Sequence, residues 1–185
     1  MVSIRKYEEK DYDDVCYACL NSEADDDLND EFCDFVLNTF CRYYIDNEPE
    51  NCFVVDDDGK AVGYIICAEN FDEFKKKYDE EYFTRAIKYG ESRIEWATEA
   101  YMLHDKFKDL YPAHLHIDIL PEYQRMGVGG KLLNALFEHL ISKGINGVML
   151  TCGTNNVTAN NFYRKYGFDE LEVLGSDIAY GKKLA

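Results

Sequence analysis

The sequence predicts a single α/β domain, and a few observations carry that expectation. Short apolar runs of strand length alternate with segments whose apolar residues recur at helical spacing, in the order β-α-α-β-β, an insertion, then β-α-β-α-β-β. Tight polar turns, Asp56-Asp57-Asp58-Gly59-Lys60 and Gly175-Ser176-Asp177, join neighbouring strand candidates and signal hairpins. A glycine-rich turn, Gly127-x-Gly129-Gly130, separates an apolar strand candidate from an amphipathic helix. The 185 residues suffice for one domain with a substantial core, and no repeat, low-complexity stretch or linker divides them.

Taken in order, residues 4–7 form a short strand and residues 11–21 a helix with Asp11 as its N-cap. Residues 28–45 read as a second helix, because Phe32, Phe35, Val36, Thr39, Phe40 and Tyr43 share its spacing. Residues 52–55 and 61–68 are the arms of the first hairpin. Between residues 71 and 111 the sets Phe71/Phe74/Tyr78, Tyr82/Ala86/Tyr89 and Ile94/Ala97/Tyr101 predict two or three helices. A strand at 115–120 ends at Pro121, and a helix follows at 131–143. Gly144 and Gly147 bracket the turn into a strand at 148–152. The helix at 158–166 stops at Gly167, a good C′ residue, and residues 168–174 and 178–182 form the closing hairpin.

Composition narrows the function. Hydrophobic residues make up 46% and aromatics 15% of the chain, so a disordered polymer is not expected. A net charge of −16 disfavours nucleic acid and anionic membranes as partners and steers cations inward, although solvated carboxylate faces explain the same number. No run reaches transmembrane length, and Met1-Val-Ser-Ile-Arg-Lys is not a signal peptide. The seven cysteines then read as reduced thiols of a cytoplasmic protein. Cys16 and Cys19 share a helical face with Val15 and Leu20, which makes them core thiols rather than half a metal site. His114 and His116 lie on one face of a strand without an evident third ligand, so no metal is expected.

The glycine-rich turn is the main chemical clue. Such a turn frees backbone N–H groups at a positive helix N-terminus, where a pyrophosphate can sit, and glycine lets the ligand approach the chain. The turn lacks both a Gly-x-Gly-x-x-Gly with a later acidic ribose ligand and a Gly-Lys-Ser/Thr. Gln124-x-x-Gly127-x-Gly129 instead resembles the acetyl-CoA pyrophosphate loop of the GNAT acetyltransferase superfamily. Asn156-x-x-Ala159-x-x-x-Tyr163-x-x-x-Gly167-Phe168 resembles the second signature of that family and follows a second strand, as the family requires. Over residues 111–170, Tyr111-Pro112-x-His114-x-His116-Ile117-Asp118-Ile119 with Phe162-Tyr163-x-Lys165-x-Gly167 is also similar to the acetyltransferase-like domain of the O-GlcNAcase family.

The resemblance implies the GNAT (acyl-CoA N-acyltransferase) fold, a mixed, mostly antiparallel sheet flanked by helices. Here it carries a helical insertion between the third and fourth strands that departs from the family pattern. It implies acetyl-CoA as co-substrate and a small-molecule or protein amine as acceptor, with a catalytically silent acyl-CoA-binding module as the alternative. Gln124, Arg125, Met126, Gly127, Val128, Gly129, Gly130 and Lys131 would then cradle the pyrophosphate. Ile119 would pair its backbone with the pantetheine arm, and Asn156 would touch the pantetheine or phosphate end. Tyr163 matches the family's general acid, whose phenol of pKa ~10 stays protonated at neutral pH. His116 and Asp118 share one face of the strand entering the loop and are the candidates for the base, with packing the simpler reading of His114 and His116. The insertion is a lid holding an aromatic and acidic acceptor pocket, or else an added packing layer or homodimer face.

Overall fold

One mixed sheet in the order β1-β2-β3-β4-β5-β7-β6 organises the chain in the computed structural model, which describes residues 2–22 and 29–184. Its strands are β1 (Ser3–Lys6), β2 (Phe53–Asp57), β3 (Lys60–Ala68), β4 (Ala113–Ile119), β5 (Gly147–Gly153), β6 (Asp169–Leu174) and β7 (Asp177–Lys183). Every neighbouring pair is antiparallel except β4 with β5. Asp58 and Gly59, with φ of 49° and 91°, form the β2–β3 turn, and positive φ at both central residues suits the right-handed twist of a hairpin.

The helices before the insertion are α1 (Tyr12–Asn21), α2 (Asp30–Phe40) and α3 (Arg42–Asn47). Asp11 holds the N-cap position of α1 but does not cap it. Its carboxylate instead accepts the Glu8 N–H at 2.9 Å and the Arg5 guanidinium at 2.5 and 2.8 Å, which ties β1 to the start of the helix. The single helix expected at 28–45 is two helices, and Leu28 lies outside the described residues. Asn29 caps α2 by accepting the Phe32 N–H, and the break falls at Cys41, with φ −130° and ψ −61°. Thr39 and Asn38 donate back to the Phe35 and Asp34 carbonyls, which loosens that last turn, while the apolar spacing runs on through Tyr43 and Tyr44 and conceals the break.

The insertion comprises α4 (Phe71–Lys77), a π-helical turn (Tyr78–Phe83), α5 (Thr84–Ala86), α6 (Glu91–Glu99) and α7 (Met102–Phe107). Phe71, Phe74, Tyr78, Tyr82 and Tyr101 are all buried, and Phe74 stacks on Tyr44 of α3 while meeting His114 of β4 edge-on. The insertion is therefore a packing layer over this face of the sheet, and its aromatic residues do not form an open pocket.

Two further helices complete the fold, α8 (Val128–Ser142) and α9 (Val157–Lys165). Helix α8 starts three residues before the expected 131 and takes in Gly129 and Gly130, residues ordinarily read as helix breakers. Its apolar face (Leu132, Leu133, Leu136, Leu140) is fully buried, and α8 lies against β1, β2 and β3.

Candidate active site

The one parallel pair of strands opens the site. β4 and β5 pair only at Ala113–Val148 and His114–Met149 and then diverge. The gap is a cleft of about 230 Å³ lined by residues 115–118 of β4, residues 150–153 of β5, and Asn156, Ala159 and Tyr163 of α9. Backbone that β4 would have offered to β5 faces this slot.

Above the end of β4 the chain turns through Pro121–Tyr123 and enters α8. Arg125 and Gly127 both take positive φ, 60° and 78°, and Gly127 is the N-cap of α8. The first turn of a helix leaves its N–H groups without intrahelical acceptors, which here concerns Val128, Gly129 and Gly130. Arg125, Met126 and Lys131 are exposed around them. The side chain of Gln124 turns away from this turn and donates to the carbonyls of Ile119 at 2.9 Å and Ser22 at 3.1 Å, so it fixes the loop to the end of β4.

The glycines of this turn answer to different local constraints. A Cβ on Gly127 would meet nothing within 4 Å, so its φ is the constraint. A Cβ on Gly129 would lie 3.1 Å from Phe162 and 3.3 Å from Ile119 Cδ1, and one on Gly130 would lie 1.8 Å from Tyr166 Oη. Gly129 and Gly130 therefore let α9 close onto α8, a packing demand for glycine at these two positions.

Helix α9 is pinned at its start. Asn156 Oδ1 accepts the Ala159 N–H at 3.0 Å, Asn160 donates to the Gly153 carbonyl at 2.9 Å, and Tyr180 of β7 donates to Asn160 Oδ1 at 2.9 Å. These bonds hold Tyr163 in the wall of the slot, packed against Phe168 and Tyr180. Burial, then Cys152, Asp118 and Tyr180, push its phenol far above the usual range.

On the facing wall Asp118 lines the slot and accepts a hydrogen bond from the Tyr64 hydroxyl of β3. His116, half-buried in the same wall, has Nε2 3.0 Å from Tyr44 Oη of α3, and burial lowers it to about 4. His114 is wholly buried without a partner for either ring nitrogen; burial first, then His104 and His116, hold it well below the usual imidazole range. His114 is thus committed to the core, whereas His116, half-buried like Asp118, lines the slot beside it. Sequence reading missed Tyr64, whose only signal is a single hydroxyl in the apolar run Ala61-Val62-Gly63-Tyr64-Ile65-Ile66. It also missed Phe162 and Tyr166 as the residues that require Gly129 and Gly130.

A larger acidic cavity of about 430 Å³ lies between α3, the end of β3 and α4, with Glu48, Glu69, Glu73, Glu80 and Glu81 in its rim. No residue of the slot or the glycine turn reaches it, and Glu48 is occupied by Tyr43, Asn51 and the Glu69 N–H. Among the described residues no group of three or more His, Cys, Asp or Glu is placed to hold a metal ion, and no helix is long and apolar enough to cross a membrane.

The profile described as Acetyltransferase (GNAT) family matches residues 10–168. An uncharacterised N-acetyltransferase of Methanocaldococcus jannaschii is 25% identical over 145 residues, which are 78% of this chain and 50% of that protein. The chain thus spans about half the length of that relative. The crystal structure of SsHAT superposes with a TM-score of 0.87 at 25% identity, covering 100% of this chain and 98% of that one. The PaiA N-acetyltransferase of Thermoplasma acidophilum, solved in complex with coenzyme A, superposes at a TM-score of 0.65 with 99% of each chain covered, and at 18% identity it shows a shared fold alone. None of these matches carries the narrower likeness to the O-GlcNAcase family.

Proposed function

Because the chain belongs to the acetyltransferase (GNAT) family, we propose that it moves the acetyl group of acetyl-CoA to a primary amine by direct attack in a ternary complex. The observation that carries this reading is the slot itself, with Asp118 in one wall, Tyr163 in the other, and the N-terminus of α8 at its mouth. The pyrophosphate lies against the N–H groups of residues 125–130, where the helix dipole favours an anion, with Lys131 beside it. The pantetheine arm runs along the free edge of β4 towards Ile119, much as an added strand would, and Asn156 flanks it at the start of α9.

Holding donor and acceptor together removes most of the entropic barrier. The amine attacks the thioester carbon in its neutral form. As the C–N bond forms, the nitrogen becomes positive and acidic, and the Asp118 carboxylate takes its proton directly or through one water. The departing sulfur gathers negative charge beside Tyr163. A phenol pushed far above its usual range donates a hydrogen bond to that sulfur and does not surrender its proton outright, because a thiol of pKa ~8.5 is the stronger acid. His116 lines the same slot with its Nε2 against Tyr44 Oη, and substitution at Asp118 separates the two candidates for the base.

The acceptor is a cationic amine. The support is the net charge of −16 and the negative charge of Asp118 in the slot; the buried rings of the insertion contribute nothing to it. The test is release of free CoA thiol from acetyl-CoA across a panel of polyamines, aminoglycosides, and neutral and acidic amines. Release is expected to require an amine, to favour cationic ones, and to weaken with added salt, since charges apart by more than about 10 Å are screened at ~0.1 M. Binding of acetyl-CoA with no amine-dependent release would reduce the chain to a silent acyl-CoA-binding module. Preference for an acidic acceptor would remove electrostatic capture.

A further inference from the structure

We propose that Tyr64 is a positioning residue for this reaction: its hydroxyl keeps the Asp118 carboxylate ionised and aimed into the slot. The inference rests on the reading of Asp118 as proton acceptor and goes one layer further back. Tyr64 and Asp118 are directly paired across β3 and β4, and the hydroxyl donates to Asp118 Oδ2. Tyr64 is 0% exposed. The space around it is apolar, so a phenylalanine would fill the same volume without a hydroxyl to satisfy, and burying an unpaired hydroxyl is unfavourable. Asp118 is the carboxylate that receives it.

The neighbouring glycine makes the pairing close. A Cβ on Gly63 would stand 3.0 Å from both the Asp118 carbonyl oxygen and Ile119 Cγ1, so β4 lies against β3 at the point where Asp118 must be aimed. A donor fixed on a central strand moves little. The carboxylate therefore keeps one oxygen on Tyr64 while it lines the slot. A hydrogen bond made to the charged form of an acid favours that form. Tyr64 itself stays protonated, since burial and the adjacent carboxylate drive its phenol well above the usual range.

Several other titratable groups face the pair. Cys19 of α1 and Cys41 at the α2–α3 break look onto Tyr64, and Tyr163 of α9 looks onto Asp118, with Cys152 of β5 behind it. His116 shares the face of β4 with Asp118 and titrates at about 4, so the acid limb of the rate must be assigned by substitution at Asp118 and not by its position alone.

The experiment measures kcat/KM against pH for the full chain with its best amine acceptor, in wild type, Tyr64→Phe, a protein carrying 3-fluorotyrosine at position 64, and Asp118→Asn. Tyr64→Phe is expected to move the acid limb upward by about one to two pH units, because it removes a bond to a charged group, with acetyl-CoA affinity unchanged. The fluorinated phenol is a stronger donor of nearly the same size and is expected to move the limb the other way. Asp118→Asn is expected to lower kcat by about 10²–10⁴-fold and abolish the limb. An unmoved limb in both Tyr64 proteins, beside an inactive Asp118→Asn, overturns the role of Tyr64 and leaves that of Asp118 standing. A fully active Asp118→Asn overturns both. A Tyr64→Phe protein that loses only thermal stability marks Tyr64 as packing and counts against the proposal.

Discussion

Acid should unfold this protein from within, through His104 and His114. Both rings are 1% exposed, and their centroids are 5.0 Å apart in a shell that includes Phe71, Phe74 and Tyr101. Among the described residues none offers the four ring nitrogens a hydrogen bond at good geometry, and the Ala100 carbonyl one turn below His104 offsets little of the effect of burial. Burial, reinforced by the other imidazoles, lowers His104 from 6.5 to about 3 and His114 well below 6.5. The unfolded chain therefore binds two protons near pH 6.5 that the folded chain refuses until far lower pH. The stabilisation is complete above about pH 6.5 and is lost as the pH falls, at about 1.4 kcal/mol per pH unit for each group. Between pH 6.5 and 4.5 His104 alone accounts for roughly 2–3 kcal/mol, a large share of the stability of a marginal domain, and His114 adds in the same direction. His116, lowered to about 4, acts in the same direction over a narrower window. The assay is urea unfolding at closely spaced pH values for wild type and the double variant His104→Phe, His114→Phe. The variant is expected to be at least as stable near pH 7, since it loses unpaired buried nitrogens, and to show a slope shallower by about 2.7 kcal/mol per pH unit. A wild-type stability that is flat from pH 6.5 to 5, or an unchanged slope in the double variant, would refute the reasoning.

Other perturbations separate chemistry from packing. Tyr163→Phe should lower kcat by about 10–100-fold, the worth of one hydrogen bond to a charged group, while calorimetry shows unchanged acetyl-CoA affinity; equal kcat with chemistry rate-limiting would make Tyr163 a packing residue. Gly127→Ala meets no steric obstacle but must hold φ at 78°, so it should cost about 1–2 kcal/mol in thermal unfolding and weaken acetyl-CoA binding. Gly130→Ala should destabilise by about 1–3 kcal/mol by forcing Tyr166 aside, and the penalty should shrink when Tyr166→Ala accompanies it, as a double-mutant cycle in denaturant would show.

What could be read from the chain was what repeats locally. The strands at 52–55, 61–68, 148–152 and 178–182 show as apolar runs, and the structure places β2, β3, β5 and β7 over them with ends shifted by a residue or two. The glycine turn and the Asn156–Phe168 signature are short enough to be seen whole, and they pointed to the family that the match over residues 10–168 bears out. Periodicity failed where two elements share one phase, which is why α2 and α3 looked continuous across Cys41. It failed differently at Gly129 and Gly130. Their need to be glycine comes from outside, from Phe162 of α9 and Tyr166 at its end, and nothing within four residues signals it.

The same distinction explains why the candidate site was only half legible. Asp118 and Tyr163 stood out because each sits in a motif. Tyr64 did not, because its meaning depends on a strand register that joins residues 54 positions apart. Register also decides the histidines. His114, His116 and Asp118 alternate on one face of β4, so sequence alone assigns them the same surroundings. The insertion and the helices α2 and α3 then cover that face from its closed end: Phe71, Phe74 and Tyr101 of the insertion seal His114, Phe40 of α2 and Tyr44 of α3 meet His116, and Asp118 lies at the open end where β5 has turned away. The insertion contributes to function by selection. It buries His114 outright, and it leaves His116, half-buried and bonded to Tyr44, beside the carboxylate that meets an incoming amine. Shaving that cover with Phe40→Ala should expose His116 further and add to kcat/KM a pH-dependent component that Asp118→Asn does not abolish. A profile in the Phe40→Ala, Asp118→Asn protein that stays as inactive as Asp118→Asn alone would show that burial is not what keeps the imidazole out of the chemistry.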